Sequence, residues 1–423
     1  MRMKVPSNVD VVIIGGGIIG VATAYYLAKA GVSVAVCEKA EIACEQSGRN
    51  WGFVRQQGRD ASEVPMVRKS LELWQGLASE IGEDVGFRQG GICYLTEDNE
   101  KIAEYEAAMA LSKSHDIDTR LLTPAEITKV LPAAKGNWKA GLYTPSDGQA
   151  EPGMATQALA RVVRKLGGHV LENCAVRGVE THAGRISAVV TEHGPITCNA
   201  AVLAGGTWSS MFCANLGIRL PQLGVRESVF RTNPLPAVWS GGFWSGDIAI
   251  RRRIDGGFTV ADGSTVEHQI VPDSFRYFRH FVPQLRNKTM KTNLRMGTEF
   301  LRQLAAPRKW ALDEVSLFEK RRVMDPPADK PKIAMIARNL KRIFPDLRDV
   351  EIEESWAGQI DVTPDAIPVI CPIETIPGFY LSTGFSGHGF GLGPGAGLAT
   401  AEMVMGNATS VDISAFKLSR FGG

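Results

Sequence analysis

Val11-Val12-Ile13-Ile14-Gly15-Gly16-Gly17-Ile18-Ile19-Gly20 is the stretch that decides the fold. Four β-branched residues in a row read as a strand buried on both faces of a parallel sheet. Gly15-x-Gly17-x-x-Gly20 follows at once, Val21 to Ala30 reads as a helix, and Val32 to Val36 reads as a second buried strand that runs on to Glu38. In this βαβ order each glycine has a task. Gly15 permits the tight turn, Gly17 lets backbone N–H groups approach a pyrophosphate, and Gly20 lets the helix pack close to the strand. Glu38 stands where a carboxylate accepts from both ribose hydroxyls of an adenosine and repels a 2′-phosphate. NAD or FAD is therefore favoured over NADP.

Outward from this unit, composition removes whole classes of function. The chain has 423 residues, with 47 Lys+Arg against 45 Asp+Glu and a formal charge of +2, so no global field points to nucleic acid. Seven scattered cysteines form no CxxC pair and no metal set, which predicts reduced thiols and a cytoplasmic protein with no metal. The uncharged run from Val11 to Ala28 is broken by glycines and is not expected to span a membrane, and MRMKVPSNVD lacks the cleavage site of a signal peptide.

Two further stretches choose the flavin. Ser47-Gly48-Arg49-Asn50-Trp51-Gly52 is a small polar turn suited to lie along a pyrophosphate. Thr375 to Ala401 carries no formal charge over 27 residues and holds eight glycines, including Gly384-Phe385-Ser386-Gly387-His388-Gly389-Phe390-Gly391. So many glycines without charge suggest backbone brought against a large neutral ring, followed by a helix over Leu392 to Val404.

With these motifs, and with Ala201 to Ser209 (AVLAGGTWS), Thr363-Pro364-Asp365 and Pro368-Val369-Ile370, the chain resembles the D-amino-acid oxidase, glycine oxidase and sarcosine oxidase superfamily of FAD-dependent amine oxidoreductases over essentially its whole length. The resemblance implies an α/β (α+β) fold, with a Rossmann-like FAD-binding domain and a discontinuous substrate domain built on an antiparallel-rich sheet. The FAD-binding pieces are expected at 1–85, 141–215 and 346–423, and the substrate pieces at 86–140 and 216–345. It further implies FAD contacts from Gly15, Gly17, Ile18, Gly20, Glu38 and Lys39, and from Ser47, Arg49, Asn50, Trp51 and Gly52. From later in the chain it implies contacts from Val176, Ala204, Gly205, Trp208 and Gly358, and from Gly387, His388, Gly389, Phe390 and Gly391.

The departures from the family pattern bear on substrate. Amino-acid oxidases of this family read W-A-G-L-R-P, and the arginine grips the substrate carboxylate; this chain reads Trp356-Ala357-Gly358-Gln359-Ile360-Asp361, with Ile360 in its place. Gly391 stands where monomeric sarcosine oxidases carry a lysine, and no counterpart of their flavin-linking cysteine lies near Ala357 and Gly358, so noncovalent FAD is expected. Replacement anchors are Arg55, which aligns with an arginine near the flavin in sarcosine oxidases, and Arg251 or Arg253, on the face of a strand opposite to Arg252. Asp361 is a candidate for binding a cationic nitrogen, and His388 a candidate base or flavin contact. Ser274 to Met296 sets Phe275, Phe278, Phe281 and Leu285 at helical spacing among Arg276, Arg279, Arg286, Lys288, Lys291 and Arg295. It reads as a core-facing stripe with a solvated basic face, the alternatives being a lid, a partner contact or a peripheral membrane contact.

Together these imply hydride transfer to flavin N5 from the carbon bearing nitrogen of an amine, amino acid, or N-methyl or opine-like amino acid, and then hydrolysis of the imine. Oxygen or a quinone is the expected final acceptor. A flavin-dependent 2-hydroxyacid or polyol dehydrogenase, and a flavoprotein subunit of a heteromeric oxidoreductase, are the alternatives.

Overall fold

A computed structural model describes residues 4–286 and 291–422. Lys288 lies outside the described residues, as do the side chains of Leu285 and Arg286. The Val11–Ile14 strand is buried along its whole length and sits inside a six-stranded sheet, paired in parallel with Val34–Cys37 on one side and Ala200–Leu203 on the other. His169–Leu171 extends the sheet at one edge; Phe379–Thr383 and then the antiparallel Val369–Pro372 extend it at the other. The helix expected after the loop runs over Ile18–Lys29.

That helix is held unusually close to its neighbours. A Cβ on Gly20 would collide with the Gly15 carbonyl oxygen, so only glycine lets the first turn sit on the loop. The helix Gly389–Val404 packs on the same helix, and a Cβ on Gly393 would stand 2.5 Å from the Ile18 Cγ1 methylene and one on Gly397 2.5 Å from the Ala22 methyl. Gly395 faces the Val64–Ile81 helix, where a Cβ would meet the Met66 carbonyl oxygen at 2.9 Å. The late glycines thus divide in two groups, and those from Gly393 onward serve helix packing rather than approach to a ring.

The second sheet has ten strands. Its order is Lys291–Arg295, Thr265–Gln269, Leu223–Thr232, Phe258–Ala261, Ala249–Arg252, Gly242–Trp244, Ile92–Thr96, Ala140–Thr144 and Arg120–Leu122, with Ile352–Val362 paired along Leu223–Thr232. Most pairings are antiparallel, and the helix Lys330–Ile343 packs on it through Ile333, Ile336, Leu340 and Ile343. The expected divisions at 141 and 346 cut this sheet: Ala140–Thr144 and Ile352–Val362 are strands of it, because each is hydrogen-bonded to a neighbour from the substrate pieces.

The Ser274 to Met296 segment is not one amphipathic helix. It forms short helices over Pro272–Arg276 and Phe278–Arg286 and then an exposed edge strand, Lys291–Arg295. Phe281 is buried, but Phe275, Phe278, Leu294 and Met296 face outward, so the expected core-facing stripe is reduced to one residue among the described phenylalanines. Among the described residues no helix is long and apolar enough to cross a membrane.

One buried ion pair ties the two halves together. Arg251 donates from Nη1 and Nη2 to the two Glu151 carboxylate oxygens at 2.8 and 3.0 Å, and from Nε to the Trp51 carbonyl oxygen, with both side chains nearly inaccessible. Glu151 lies at the start of the Pro152–Lys165 helix of the first half, Arg251 on a strand of the second. Removing one partner of such a pair strands the other charge. Arg251→Met is expected to lower unfolding stability by about 3–5 kcal/mol, read as a reduced urea midpoint; an unchanged midpoint shows that the pair carries no net stability.

Candidate active site

A single cavity of about 1130 Å³ runs from Gly15 and Glu38 to Phe275 and Leu294, larger than the roughly 300–1,000 Å³ of ordinary small-molecule sites. Gly15 adopts φ +116° and a Cβ there would collide with the Ala204 carbonyl. Gly17 caps the Ile18–Lys29 helix without a side-chain acceptor, and Ser47 Oγ accepts from Ile18 N at 2.8 Å; Ile19 and Gly20 N–H receive nothing from the cap. Such a helix end suits a pyrophosphate. Glu38 accepts from Gly16 N at 2.7 Å and Ala40 N at 2.8 Å. Burial raises its pKa, and these two N–H groups work the other way in favour of the carboxylate. A carboxylate has about four acceptor positions, so two remain for ribose hydroxyls.

Farther along, Lys39 lies over the Trp208 ring, with Nζ 3.9 Å from its centroid, and Arg49 donates to the Cys44 and Ala357 carbonyl oxygens. Ile18, Asn50, Trp51, Gly52, Val176, Ala204, Gly205 and Gly358 line the same cavity, as do Gly387, His388, Gly389 and Phe390. Gly20 and Gly391 do not line it. Gly20 packs on Gly15, and the Gly391 carbonyl accepts from Ser70 Oγ and Trp74 Nε1 behind the wall. The donor set therefore fits FAD along its length: helix N-terminus and Ser47 for phosphates, Glu38 for ribose, and glycine backbone at Gly358 and Gly387 for the ring.

The end of the cavity beyond the glycine loop is aromatic and strongly charged. Trp244 lies 4.9 Å from Trp51 and 5.5 Å from Tyr94, centroid to centroid, and the Arg55 guanidinium sits 4.9 Å from the Trp244 centroid. Arg55 also donates from Nη1 to the Gln57 carbonyl oxygen. Beside it is Arg59, four residues on, which sequence reasoning passed over. Its Nε and Nη1 are shielded from solvent and lack a hydrogen-bond partner, and burial and then the Arg55 charge push its pKa down to about 10. Nothing in Arg55-Gln56-Gln57-Gly58-Arg59 distinguishes the second arginine except that the loop brings both back into one wall.

His388 caps the Gly389–Val404 helix, and its Nδ1 lies 3.1 Å from Glu63 Oε1, a second residue that sequence reasoning missed. Burial, reinforced by Arg59, drives the His388 pKa down to about 4 against the pull of Glu63. Burial also opposes the ionised form of Glu63, but His388 and Arg59 hold its pKa below the usual carboxylate value. An ionised Glu63 only accepts, so Nδ1 carries the proton and Nε2 keeps the lone pair of a neutral ring.

The other candidates are placed differently from expectation. Arg251 is spent on Glu151, and Arg253 pairs with Asp255 in the hairpin; neither lines the cavity, so neither replaces the missing carboxylate anchor. Asp361 does line it, but Oδ2 accepts from Gln222 Nε2 at 3.0 Å and Gly384 N at 2.9 Å. It clamps the strand Ile352–Val362 to the glycine loop, and burial raises its pKa. Ile360 lines the wall as an apolar group beside Gly387. All seven cysteines are free, and among the described residues no three metal-ligating side chains cluster.

Comparison with known proteins agrees with this geometry. Residues 10–403 match the family profile described as FAD dependent oxidoreductase, DAO. The L-amino acid deaminase from Proteus myxofaciens superposes with a TM-score of 0.95 at 32% identity, over 99% of this chain and 95% of that one. The sarcosine oxidase subunit beta of Rhizobium meliloti (strain 1021) is 27% identical over 97% of this chain and 88% of its own length. The mouse mitochondrial sarcosine dehydrogenase is 26% identical over 98% of this chain, which spans only 42% of that protein. With the dinucleotide loop, the ribose acid and the ring-side glycines in one continuous cavity, and with the profile spanning nearly the whole sequence, the chain belongs to the DAO family of FAD dependent oxidoreductases.

Proposed function

We propose that this protein oxidises the C–N bond of a carboxylate-bearing amine, either an amino acid or an N-substituted, N-methyl or opine-like one. The observation that carries this reading is the pair Arg55 and Arg59 in the cavity wall, with Arg59 Nη2 donating to the Arg55 carbonyl oxygen and its Nε and Nη1 without partners among the described residues. Buried cations of this kind are costly alone, and a carboxylate taken in a charge-assisted fork offsets that cost. The names of the relatives, sarcosine oxidase and L-amino acid deaminase, are consistent with it, since those substrates carry a carboxylate beside the reacting nitrogen.

FAD, when bound, supplies the two-electron acceptor for the hydride that leaves the carbon bearing nitrogen, and the imine is then hydrolysed. The chain's own residues position and desolvate. Arg55 and Arg59 fix the carboxylate, and with it the orientation of the C–H bond toward the ring-side glycines. Trp51, Tyr94 and Trp244 exclude water and present ring faces to a cationic nitrogen. His388, held near pKa 4, offers Nε2 as a hydrogen-bond acceptor and is a poor base at neutral pH. The match to most of a sarcosine oxidase subunit beta supports a second reading, a flavoprotein subunit, which co-purification of another polypeptide tests.

The FAD is inferred to be noncovalent, because Cys37 and Cys44, the cysteines that line the cavity, lie beside Glu38 and not at the ring end. Acid precipitation of the purified protein should release a yellow supernatant; colour kept in the pellet contradicts this. Glu38→Ala should weaken FAD binding by about 1–3 kcal/mol in equilibrium dialysis, the range for a hydrogen bond to a charged group, and an unaltered dissociation constant removes Glu38 from the site.

Anaerobic mixing with sarcosine, L-proline, other L-amino acids and lactate should bleach the flavin with an amine and not with lactate; the reverse outcome sinks the amine reading. For the best amine, Arg59→Ala should lower kcat/KM roughly 10- to 150-fold, equivalent to about 1.5–3 kcal/mol. Its methyl ester should lose far less, and equal losses for acid and ester show that Arg59 does not hold the carboxylate.

A further inference from the structure

The wall of the cavity opposite the FAD loop holds one carboxyl group that the mechanism above leaves unused. Leu223, Val225, Glu227 and Val229 alternate along the Leu223–Thr232 strand and all line the cavity, so Glu227 is a single acid on an otherwise apolar face. Its register partner on Ile352–Val362 is Gly358, which has no side chain to cover it, whereas Val225 faces Ile360. From behind, Lys332 of the Lys330–Ile343 helix donates to Glu227 Oε1 at 2.8 Å. Lys332 also reaches Asp262 Oδ2 at 3.2 Å and the Thr265 carbonyl oxygen at 2.6 Å, and Asp262 is itself held by Ser264 and Thr265. Glu227 Oε1 further accepts from Ser228 N. Among the described residues the hydrogen bond that the fold makes to this carboxyl, from Ser228 N, is thus made to Oε1, which is also the oxygen 2.8 Å from Lys332 Nζ. Oε2 has no hydrogen bond there and is not among the sealed, unpartnered atoms, which leaves it turned to the cavity.

Asp361 makes the contrast. Its Oδ2 accepts from Gln222 Nε2 and Gly384 N, donors from two separate loops, so a substrate bound there would compete with the contacts that clamp those loops. Glu227 has one oxygen anchored and one free, an arrangement that fixes a carboxyl group in direction without satisfying it.

We infer that Glu227 is the amine-side group of this site, binding the substrate nitrogen through Oε2 and taking the proton that a substrate ammonium must lose before its C–H bond is cleaved. The role rests on the amine reading proposed above. In the step, the N–H bond breaks and an O–H bond forms on Glu227 Oε2, and the electron pair stays on nitrogen. That pair then forms the C=N bond as the hydride leaves for the FAD, and the proton later exchanges to water. Burial pushes the Glu227 pKa up to about 8, opposed by Lys332 and reinforced by Asp262, which suits a group that must take a proton near neutral pH. The opposed strand presents Gly358 at its register position, and its own strand presents Val225 and Val229 on this face.

The test uses the FAD-loaded protein and the amine that best bleaches it, with the saturating rate of anaerobic flavin reduction followed against pH. Glu227→Gln keeps the volume and is expected to reduce the rate near pH 7 by roughly 10²-fold. The deficit should close as pH rises toward the ionisation of the free amine, when substrate arrives already neutral. Glu227→Asp should restore part of the rate. Lys332→Met, a second variant that leaves the carboxyl in place, should move the acid limb of the wild-type profile to higher pH, because the cation that favours ionised Glu227 is gone. Binding of glycine betaine, a carboxylate whose nitrogen has no proton to give, supplies a readout apart from turnover: calorimetry in two buffers near pH 7 should show proton release in wild type and none in Glu227→Gln. A Glu227→Gln profile that superimposes on wild type, or an acid limb unmoved by Lys332→Met, overturns the role of Glu227 while the amine reading stands. Failure of every amine to bleach the wild-type flavin overturns the amine reading, and this role with it.

Discussion

At Gly20 the first turn of the Ile18–Lys29 helix rests on the Gly15 carbonyl so closely that no side chain fits between them. Much of the site depends on it. The approach sets the helix N-terminus over the end of the Val11–Ile14 strand, and Gly397 then lets the C-terminal helix lie on Ala22 of the same helix. Because that second helix begins at Gly389, its close packing carries His388 and the preceding glycines to the far end of the cavity. A side chain at any of these positions would push apart elements whose separation determines both ends of the FAD site.

The two sheets contribute different physics to one cavity. The parallel sheet supplies backbone dipoles and neutral turns, which suit a cofactor whose phosphates need N–H groups more than formal charge. The larger sheet and the loop before it supply full charges kept from water: Arg55, Arg59 and Glu63 on one side, and Glu227 backed by Lys332 on the other. Charge buried in this way is costly to fold, and in the Arg251–Glu151 pair the cost is met by a complete bidentate contact. At Arg59 it is not met within the chain. An unpaired buried cation is tolerated where a ligand completes it, so incomplete pairing distinguishes a binding arginine from a structural one.

The βαβ unit, the ribose acid and the ring-side loop were legible in the sequence because each is a local signal: a β-branched run, glycines at fixed spacing, an acid at a strand end. Most of the residues expected at the cofactor line the cavity for the same reason. What was not legible depends on which face of an element meets which neighbour. Arg251 lies on the strand Ala249–Arg252 and turns to Glu151, while Arg253 falls just past the strand end and pairs with Asp255 in the hairpin, so neither reaches the cavity. Gly391 is expected against the ring but instead packs behind the cavity wall, because composition cannot distinguish backbone pressed on a ligand from helix pressed on helix. The domain divisions at 141 and 346 failed to follow the sheet because hydrogen bonding between strands distant in sequence, such as Leu223–Thr232 with Ile352–Val362, has no local mark.

Asp361 and Glu227 show how the same chemistry can be assigned to opposite uses by its surroundings. Both are buried carboxyls on paired strands, both line the cavity, and burial raises the pKa of both. Sequence logic preferred Asp361, since it follows Ile360 in the very motif where the family's anchor is missing, and Glu227 sits in an unremarkable Val225-Arg226-Glu227-Ser228-Val229 run. The deciding difference is what each carboxyl holds in place. Gln222 Nε2 and Gly384 N on Asp361 Oδ2 make it a clamp, and displacing either to bind a substrate would break contacts between the Ile352–Val362 strand and the glycine loop. At Glu227, Lys332 and Ser228 N hold one oxygen, and the missing side chain at Gly358 leaves the other open, so a ligand adds a hydrogen bond without costing the fold one.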